Sequence, residues 1–283
     1  MSENREESLR KMVNSSGFLF QLGVEHEINK TAGDHGWQVL VREYPWSDPE
    51  SGSDGFIDLV LRHFSYICRI VVECKRSRDA SWVFLVPQKS EKQLLVARCL
   101  WTNSATGGQV SSGWHDFTIS PKAPEAAFCV IRGTGEGDQG LLERLSGTLL
   151  KATESLAAEE LQLRSRYTGE GPLIYLPFIV TTAQLEVCRY NPADISLADG
   201  TIPNGKFESV PIVCLRKSLT TKLSPGAVPR ELKESYQDKE RTIFIVQAAE
   251  LTKVLKQWVI GPGPFGTPPW VLLARTVESQ RAG

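Results

Sequence analysis

The chain reads as an α/β domain: a mixed central sheet flanked by helices, with further strands extending it toward the C-terminus. Three observations lead there. Apolar residues recur at helical spacing in two well-separated stretches, Glu6 to Lys30 and Leu142 to about Arg164. Between and beyond them lie short runs rich in Val, Ile, Leu and Phe, bounded by turn residues, as strands are. Helical and strand segments also alternate along the chain, the order expected of a sheet covered by helices.

Taken in order, Ser15-Ser16-Gly17 marks a break between two helices. In the second, Phe18, Leu22 and Glu25 share one face, and Phe20, Val24 and Ile28 line the adjoining one. Gly33 and Gly36 end it, and Trp37 to Trp46 reads as a strand followed by a turn-rich loop from Ser47 to Gly55. Gly55 to Ser77 then reads as two antiparallel strands about a short turn at His63 to Tyr66. A basic run with Arg76 and Arg78 leads into the strand WVFLVP, after which a helix is expected from Gln88 to Trp101, carrying Lys89, Lys92 and Arg98. Asn103 to Glu125, rich in Gly, Ser, Thr and Pro and without clear period, is expected to be a loop insertion. Ala126 to Arg132 is a strand candidate, Gly133 to Gly140 a flexible turn, and the Leu142, Leu145, Leu149, Leu156, Leu163 series a long amphipathic helix. Further strands are expected within Tyr175 to Tyr190, over Val210 to Lys217, and from Arg241, where the strand runs into a short helix; Lys222 to Lys239 is polar. The reading is one domain over residues 1–260, its motif-bearing core at 15–87, and a Pro/Gly-rich segment with a frayed tail at 261–283.

Composition narrows function. A formal net charge of −1 leaves no overall basic character, so a nucleic-acid partner must be held by a local patch. The six cysteines are scattered without a CxxC pair, which argues against a disulfide framework or a zinc ribbon and fits a reducing cytoplasm. The charged N-terminus lacks the apolar segment of a signal peptide, and no apolar run is long enough to span a membrane.

The chemistry-bearing residues lie in GFIDLVLRHFSYICRIVVECKRS. Glu73 and Lys75, two apart on a strand, point the same way while Cys74 points back, and the antiparallel return brings Asp58 beside them. Two carboxylates and an amine among β-branched neighbours are either paired with one another or hold a metal. Hard carboxylate oxygens suit Mg2+ or Mn2+, which bind through one or two carboxylates plus substrate phosphate, and the Cys74 backbone carbonyl can complete the sphere. A cross-strand salt bridge of Lys75 with Glu73 or Asp58 is the plainer alternative. Other motifs carry less. Gly135 to Gly140 fits GxGxxG, but Glu136 and Asp138 would set negative charge where a pyrophosphate must sit. The histidines lack metal spacing, and there is no GxSxG.

Helix with a glutamate, strand, strand with Asp, strand with ExK, then a long helix and a strand: this order resembles the PD-(D/E)XK nuclease superfamily, the restriction-endonuclease-like fold, and in particular a group of bacterial members with ECK, a short basic turn and an aromatic-aliphatic WVxF segment. The residues carrying it are Glu25 in VEHEI, YPWSDPE at Tyr44 to Glu50, Asp58 in GFIDLVL, and Glu73-Cys74-Lys75. The resemblance implies a three-layer core. It also implies a Mg2+- or Mn2+-dependent nuclease, acting on DNA in a bacterial cytoplasm, with Asp58, Glu73 and the Cys74 carbonyl holding the metal, Lys75 as catalytic lysine and Glu25 as the helical acid. Glu25 is preferred over Glu27 because it shares the Phe18–Leu22 stripe. Where the family has "PD" this chain has Ile57-Asp58. Arg76, Ser77, Arg78, Lys89 and Lys92 are candidates for phosphate contacts, and Trp82, Phe84, Trp101 and Trp114 for base stacking, with core packing the alternative for Phe84 above all. Members of this family also act as dimers or as effector subunits, for instance in phage defence, so a homodimer, or a nuclease-fold module active only with a partner protein, stands as the second expectation.

Overall fold

The computed structural model describes residues 2–77, 80–88, 96–105, 109–131, 140–167, 171–220, 223–224 and 227–261. Helices α1 (Ser2–Ser15) and α2 (Phe18–Lys30) are separated at Ser16-Gly17, as the sequence predicts. A single further turn, α3 (Ala32–His35), ends at Gly36, whose φ of 76° and whose fit against His63 (a Cβ there would stand 2.8 Å from the ring Nε2) leave room for glycine alone. Strands β1 (Trp37–Asp48), β2 (Ser53–His63) and β3 (Cys68–Lys75) form an antiparallel meander, and β4 (Ser81–Pro87) follows. Then come β5 (Val96–Ala105), β6 (Gln109–Ser120), the short β7 (Glu125–Ala126) and β8 (Phe128–Ile131), and the 27-residue helix α4 (Leu141–Tyr167). The chain closes with β9 (Gly171–Thr181), β10 (Gln184–Tyr190), β11 (Lys206–Ser209), β12 (Ile212–Ser218), α5 (Leu232–Asp238), β13 (Glu240–Gln247), α6 (Leu251–Gln257) and β14 (Val259–Gly261).

The main sheet runs β1-β2-β3-β9-β13-β12-β7. Strand β9 is parallel to β3 and to β13, and it is buried from Leu173 to Thr181 because both its faces are covered. The second edge of β9 is divided: β5 pairs antiparallel with its start, from Gly171 to Tyr175, and β13 with its end, from Phe178 to Thr181. On one face, Val24 and Ile28 of α2 and Val254 and Leu255 of α6 pack against Leu59, Ile70, Val72 and Phe178. On the other, Leu149 and Leu156 of α4 pack with Val60, Val71 and Ile179. The mixed sheet flanked by helices is therefore present, with strands added toward the C-terminus.

A second sheet, β11-β10-β4-β8, grows out of the first at a corner. The parallel neighbours β3 and β9 continue directly into the parallel neighbours β4 and β10. Thr182 pins the turn: its Oγ1 accepts from the Ser77 amide and donates to the Ser77 carbonyl, each at 2.8 Å. Lys75 is thus the last residue of β3 before a braced bend.

Two expected elements differ. In place of a helix over Gln88 to Trp101 the described part, from Val96, is strand β5, in which Ala97 and Cys99 are buried and Arg98 between them is not: a period of two. The presumed loop of Asn103 to Glu125 is the end of β5 and all of β6, paired from Ala105↔Gln109 to Val96↔Thr118. Its alternation is hidden because the apolar frame slips, from even positions at Val110 and Trp114 to odd ones at Phe117 and Ile119. Likewise β1 runs through Ser47 to Asp48, so the loop begins two residues later. The segment 132–139 with most of the GxGxxG motif, and the tail beyond Gly261, lie outside the described residues.

Candidate functional site

The site forms where β2 and β3 part. Their ladder runs from Arg62↔Arg69 to Leu59↔Val72 and stops. Beyond it β2 stays with β1 and β3 stays with β9. Asp58 and Glu73, the residues that would pair next, stand on either side of the resulting fork. The Asp58 carboxylate replaces the missing backbone acceptor: its Oδ2 takes the Cys74 amide at 2.6 Å. Alternation along β3 puts Cys68, Ile70, Val72 and Cys74 against the α2 side of the sheet, and so turns Glu73 and Lys75 to the other face, as the sequence predicts.

Electrostatically the fork is short of positive charge. Burial pushes the Asp58 carboxyl up to about 6, against the Cys74 hydrogen bond, and Glu43 adds to the rise. Burial likewise pushes Glu73 up to about 7, with Asp58 and Glu43 raising it and Lys75 offsetting only part. Lys75 is near enough to act on Glu73 but makes no ion pair among the described residues, so the cross-strand salt bridge is not what this structure contains. The Cys74 thiol is raised well above its ordinary range by burial and then by Asp58, Glu73 and Glu43, which keeps it a neutral core group rather than a thiolate ligand.

Two residues not anticipated from sequence belong to the fork. Glu43 stands on β1 opposite Asp58, between the pairs Arg42↔Leu59 and Tyr44↔Ile57, with a left-handed φ of 50°. Gln21, buried on α2, donates through Nε2 to the Asp58 backbone carbonyl at 3.0 Å and to Glu43 Oε1. The expected helical acid, Glu25, goes elsewhere: its carboxylate accepts from Arg42 Nη1 at 3.2 Å. The reason lies in which face of α2 is buried. Gln21, Val24 and Ile28 face the sheet, whereas Phe18 and Leu22, the stripe that favoured Glu25, are 68% and 46% exposed. Glu27 pairs with Lys30 instead, at 3.7 Å.

The surrounding candidates are mostly structural. Arg76 holds the break between α1 and α2, its Nη1 donating to the carbonyls of Asn14 and Ser16. Ser77 contributes its backbone to the Thr182 corner. Arg78, Lys89 and Lys92 lie outside the described residues. Trp82, Phe84 and Trp114 are core residues, so none of these three presents a free stacking face, and the half-buried Trp101 makes an edge-to-face contact with His115, ring centroids 5.3 Å apart.

Among the described residues no group of three or more His, Cys, Asp and Glu is set to hold a metal ion. A hard divalent cation asks for less than that, since Mg2+ takes one or two carboxylates and keeps several waters. Two carboxylates raised chiefly by burial, with a neutral thiol and, among the described residues, no paired amine, suit such an ion and not a soft one. Comparison with protein families, with curated proteins and with solved structures finds no match to this chain.

Proposed function

We propose that the chain is a Mg2+- or Mn2+-dependent nuclease of the PD-(D/E)XK kind, hydrolysing phosphodiester bonds in DNA. What carries this reading is the fork: among the described residues, Asp58 and Glu73 meet at the end of a strand ladder with too little positive charge to neutralise them, beside a lysine that none of those residues pairs. The order of elements supports it, because α2, β1, β2 with Asp58, β3 with Glu73 and Lys75, and later α4 and β9 follow the family's sequence, with β4 to β8 interposed.

In this reading Asp58 and Glu73 hold the cation. Bound there, it would acidify a water and neutralise charge on the phosphate. Gln21 fixes the Asp58 backbone and so the direction of its carboxylate. Lys75, held at the braced corner, presents an ammonium to the phosphate oxygens or to the attacking water. Glu43 adds a third negative charge that favours cation over anion in the unliganded site. The test is plasmid and single-strand cleavage with and without EDTA, comparing the wild type with Asp58→Ala and Lys75→Ala. Wild-type rates in both variants would remove the assignment.

The second reading, a nuclease-fold subunit active only with a partner, draws on one observation: Arg76, which follows Lys75 in the chain, is occupied by the helix junction. It predicts that the isolated chain binds neither DNA nor Mn2+ and that a co-purifying protein restores cleavage.

A further inference from the structure

A cleft of about 440 Å³ opens between the second half of α4 and the β5–β6 hairpin, away from the fork. Strand β5 lies along the start of β9, with Leu100 opposite Tyr175, whereas Glu73 lies beside Ile179 near the end of β9. The space exists because Ala157 and Ala158 of α4 and Gly113 of β6 are too small to fill it, and the wall is mostly apolar. In that setting a buried charge stands out. Arg241 of β13 lines the cleft although only 2% of its surface is exposed. Trp114 holds it there: the indole Nε1 donates to Glu154 Oε1 at 3.2 Å, and the guanidinium carbon sits over the ring at 4.3 Å from its centroid. Nη1 of Arg241 donates to the backbone carbonyls of Asp238 and Glu240, at 2.6 and 2.8 Å. Nε is buried and has no acceptor among the described residues. The Ser224 hydroxyl, on the same cleft, is buried and unpaired in the same way. Buried polar atoms of this kind are few in a folded chain, because each forfeits the hydrogen bonds it had with water. Burial also lowers the guanidinium to about 10, Glu154 and Asp238 opposing the fall and Arg98 adding to it, so the cation is under-compensated.

We propose that this cleft is a binding site for a small organic monocarboxylate with an apolar body, its carboxylate taken by Arg241 and its body lying against Leu100, Val110 and Leu161. A planar carboxylate fits the edge that Nε shares with Nη2 through two parallel hydrogen bonds, and it supplies the acceptor that Nε lacks. The Ser224 hydroxyl can donate to the same group. Glu154 sets the charge of the ligand: beside one arginine and one glutamate, a single negative charge is the most the wall can balance, and a phosphate dianion is repelled. The apolar wall sets the rest, since a pocket of this size lined mainly by aliphatic groups takes a compact hydrocarbon body with few polar atoms. The site is independent of the catalytic reading, because none of the fork residues lines the cleft.

The experiment is calorimetric titration of the full chain with decanoate and with naphthoate, each beside its uncharged amide. Binding of an acid about tenfold or more tighter than its amide is expected, the worth of a charge-assisted hydrogen-bonded pair. The tighter of the two acids tells an aliphatic body from an aromatic one. Ala158→Phe, at an exposed position on the cleft wall, is expected to abolish binding with an unchanged melting temperature. Arg241→Met is expected to bring acid and amide to the same affinity; where that variant fails to fold, the acid–amide difference in wild type and the Ala158→Phe titration decide. The proposal is overturned if neither acid binds, if acid and amide bind wild type equally, or if Ala158→Phe binds as wild type does. Asp58→Ala keeps the fork out of the question: it is expected to bind the acid as wild type does, whatever its cleavage rate. A loss of affinity there would put the acid at the fork and overturn this site.

Discussion

Acidic side chains gather at two places in this fold, with opposite results. Around β6 and β12, Asp116, Asp238 and Glu240 meet Arg98 and Arg216: Arg98 reaches Asp238 at 3.1 Å and Asp116 at 3.7 Å, and Arg216 reaches Glu240 at 2.9 Å and Asp116 at 3.7 Å. Burial works against the charge of Arg216, but Asp116 and Glu240 outweigh it and hold the guanidinium above its ordinary range. At the fork, Asp58, Glu73 and Glu43 stand together with Lys75 the one base acting on them among the described residues, and burial, reinforced by neighbouring acids, raises the carboxyls of Asp58 and Glu73 instead. The first set is matched within the chain and holds strands together. The second is left unmatched, which costs stability and persists where something from outside supplies the charge.

The largest effect expected from this contrast is at the matched cluster. Arg216→Ala takes from Glu240 its arginine partner and from Asp116 one of its two, in a poorly solvated place, and also removes the donor to the Val96 carbonyl at 3.1 Å. A loss of about 3 kcal/mol in urea unfolding is expected, because a charge left unpaired on burial is expensive. A loss under about 1 kcal/mol would mean the pairs are surface-like and the contrast false.

The same operation at the fork should have the opposite sign. Asp58→Asn and Glu73→Gln each remove a buried charge that neighbouring acids repel, and the metal-free protein should gain about 2 kcal/mol at pH 8, with cleavage abolished if the fork is the catalytic site. Both carboxyls bind protons more tightly folded than unfolded, so their contribution to stability is greatest on the acid side and is lost as pH rises through about 6 and about 7. Wild-type stability alone will not display this cleanly. His35 is lowered to about 4 and His63 is lowered as well, both chiefly by burial, and such groups take stability away as pH falls below the ordinary histidine range. The histidine contributions cancel in the difference between variant and wild type. That difference should be near zero at pH 4 and grow through pH 7; a flat difference would show that the carboxyls are not crowded.

Cation binding should follow the same curve. At a Mn2+ concentration of about 100 times its dissociation constant the wild type should gain about 3 kcal/mol of stability at pH 8, and markedly less at pH 5 where protons compete. Calorimetric or fluorescence melts of wild type and Asp58→Asn make the comparison, and an equal gain in both would place the ion elsewhere.

Which parts of this were legible beforehand follows from what a linear pattern can encode. The meander and the Asp58–Glu73–Lys75 set are written in strong strand alternation and a short turn, and the structure brings Asp58 and Glu73 together across the end of one ladder. The hairpin of β5 and β6 was masked by polar residues and by the frame slip between Trp114 and Phe117. Glu43 was invisible because nothing in VREYPW signals a left-handed residue, a conformation that side chains other than glycine seldom take. Gln21 is not legible because an apolar periodicity marks only apolar residues as buried. On α2 the inward stripe includes a glutamine with two acceptors to satisfy, while Phe18 and Leu22 point outward.

The smallest expected effect separates the sequence reading of α2 from the structural one. If Glu25 served the fork, Glu25→Ala would cut cleavage as deeply as the loss of Asp58. In the structure its carboxylate is bound to Arg42, whose side chain is 58% exposed, and a pair of that kind contributes at most about 1 kcal/mol. Glu25→Ala should therefore cleave at the wild-type rate and unfold within about 1 kcal/mol of it. Gln21→Ala, one turn earlier, should lower the rate and weaken Mn2+ binding, because the Asp58 carbonyl and Glu43 both lose their donor. The reverse outcome, a silent Gln21 and an essential Glu25, would show that α2 turns its other face to the fork when a cation is bound.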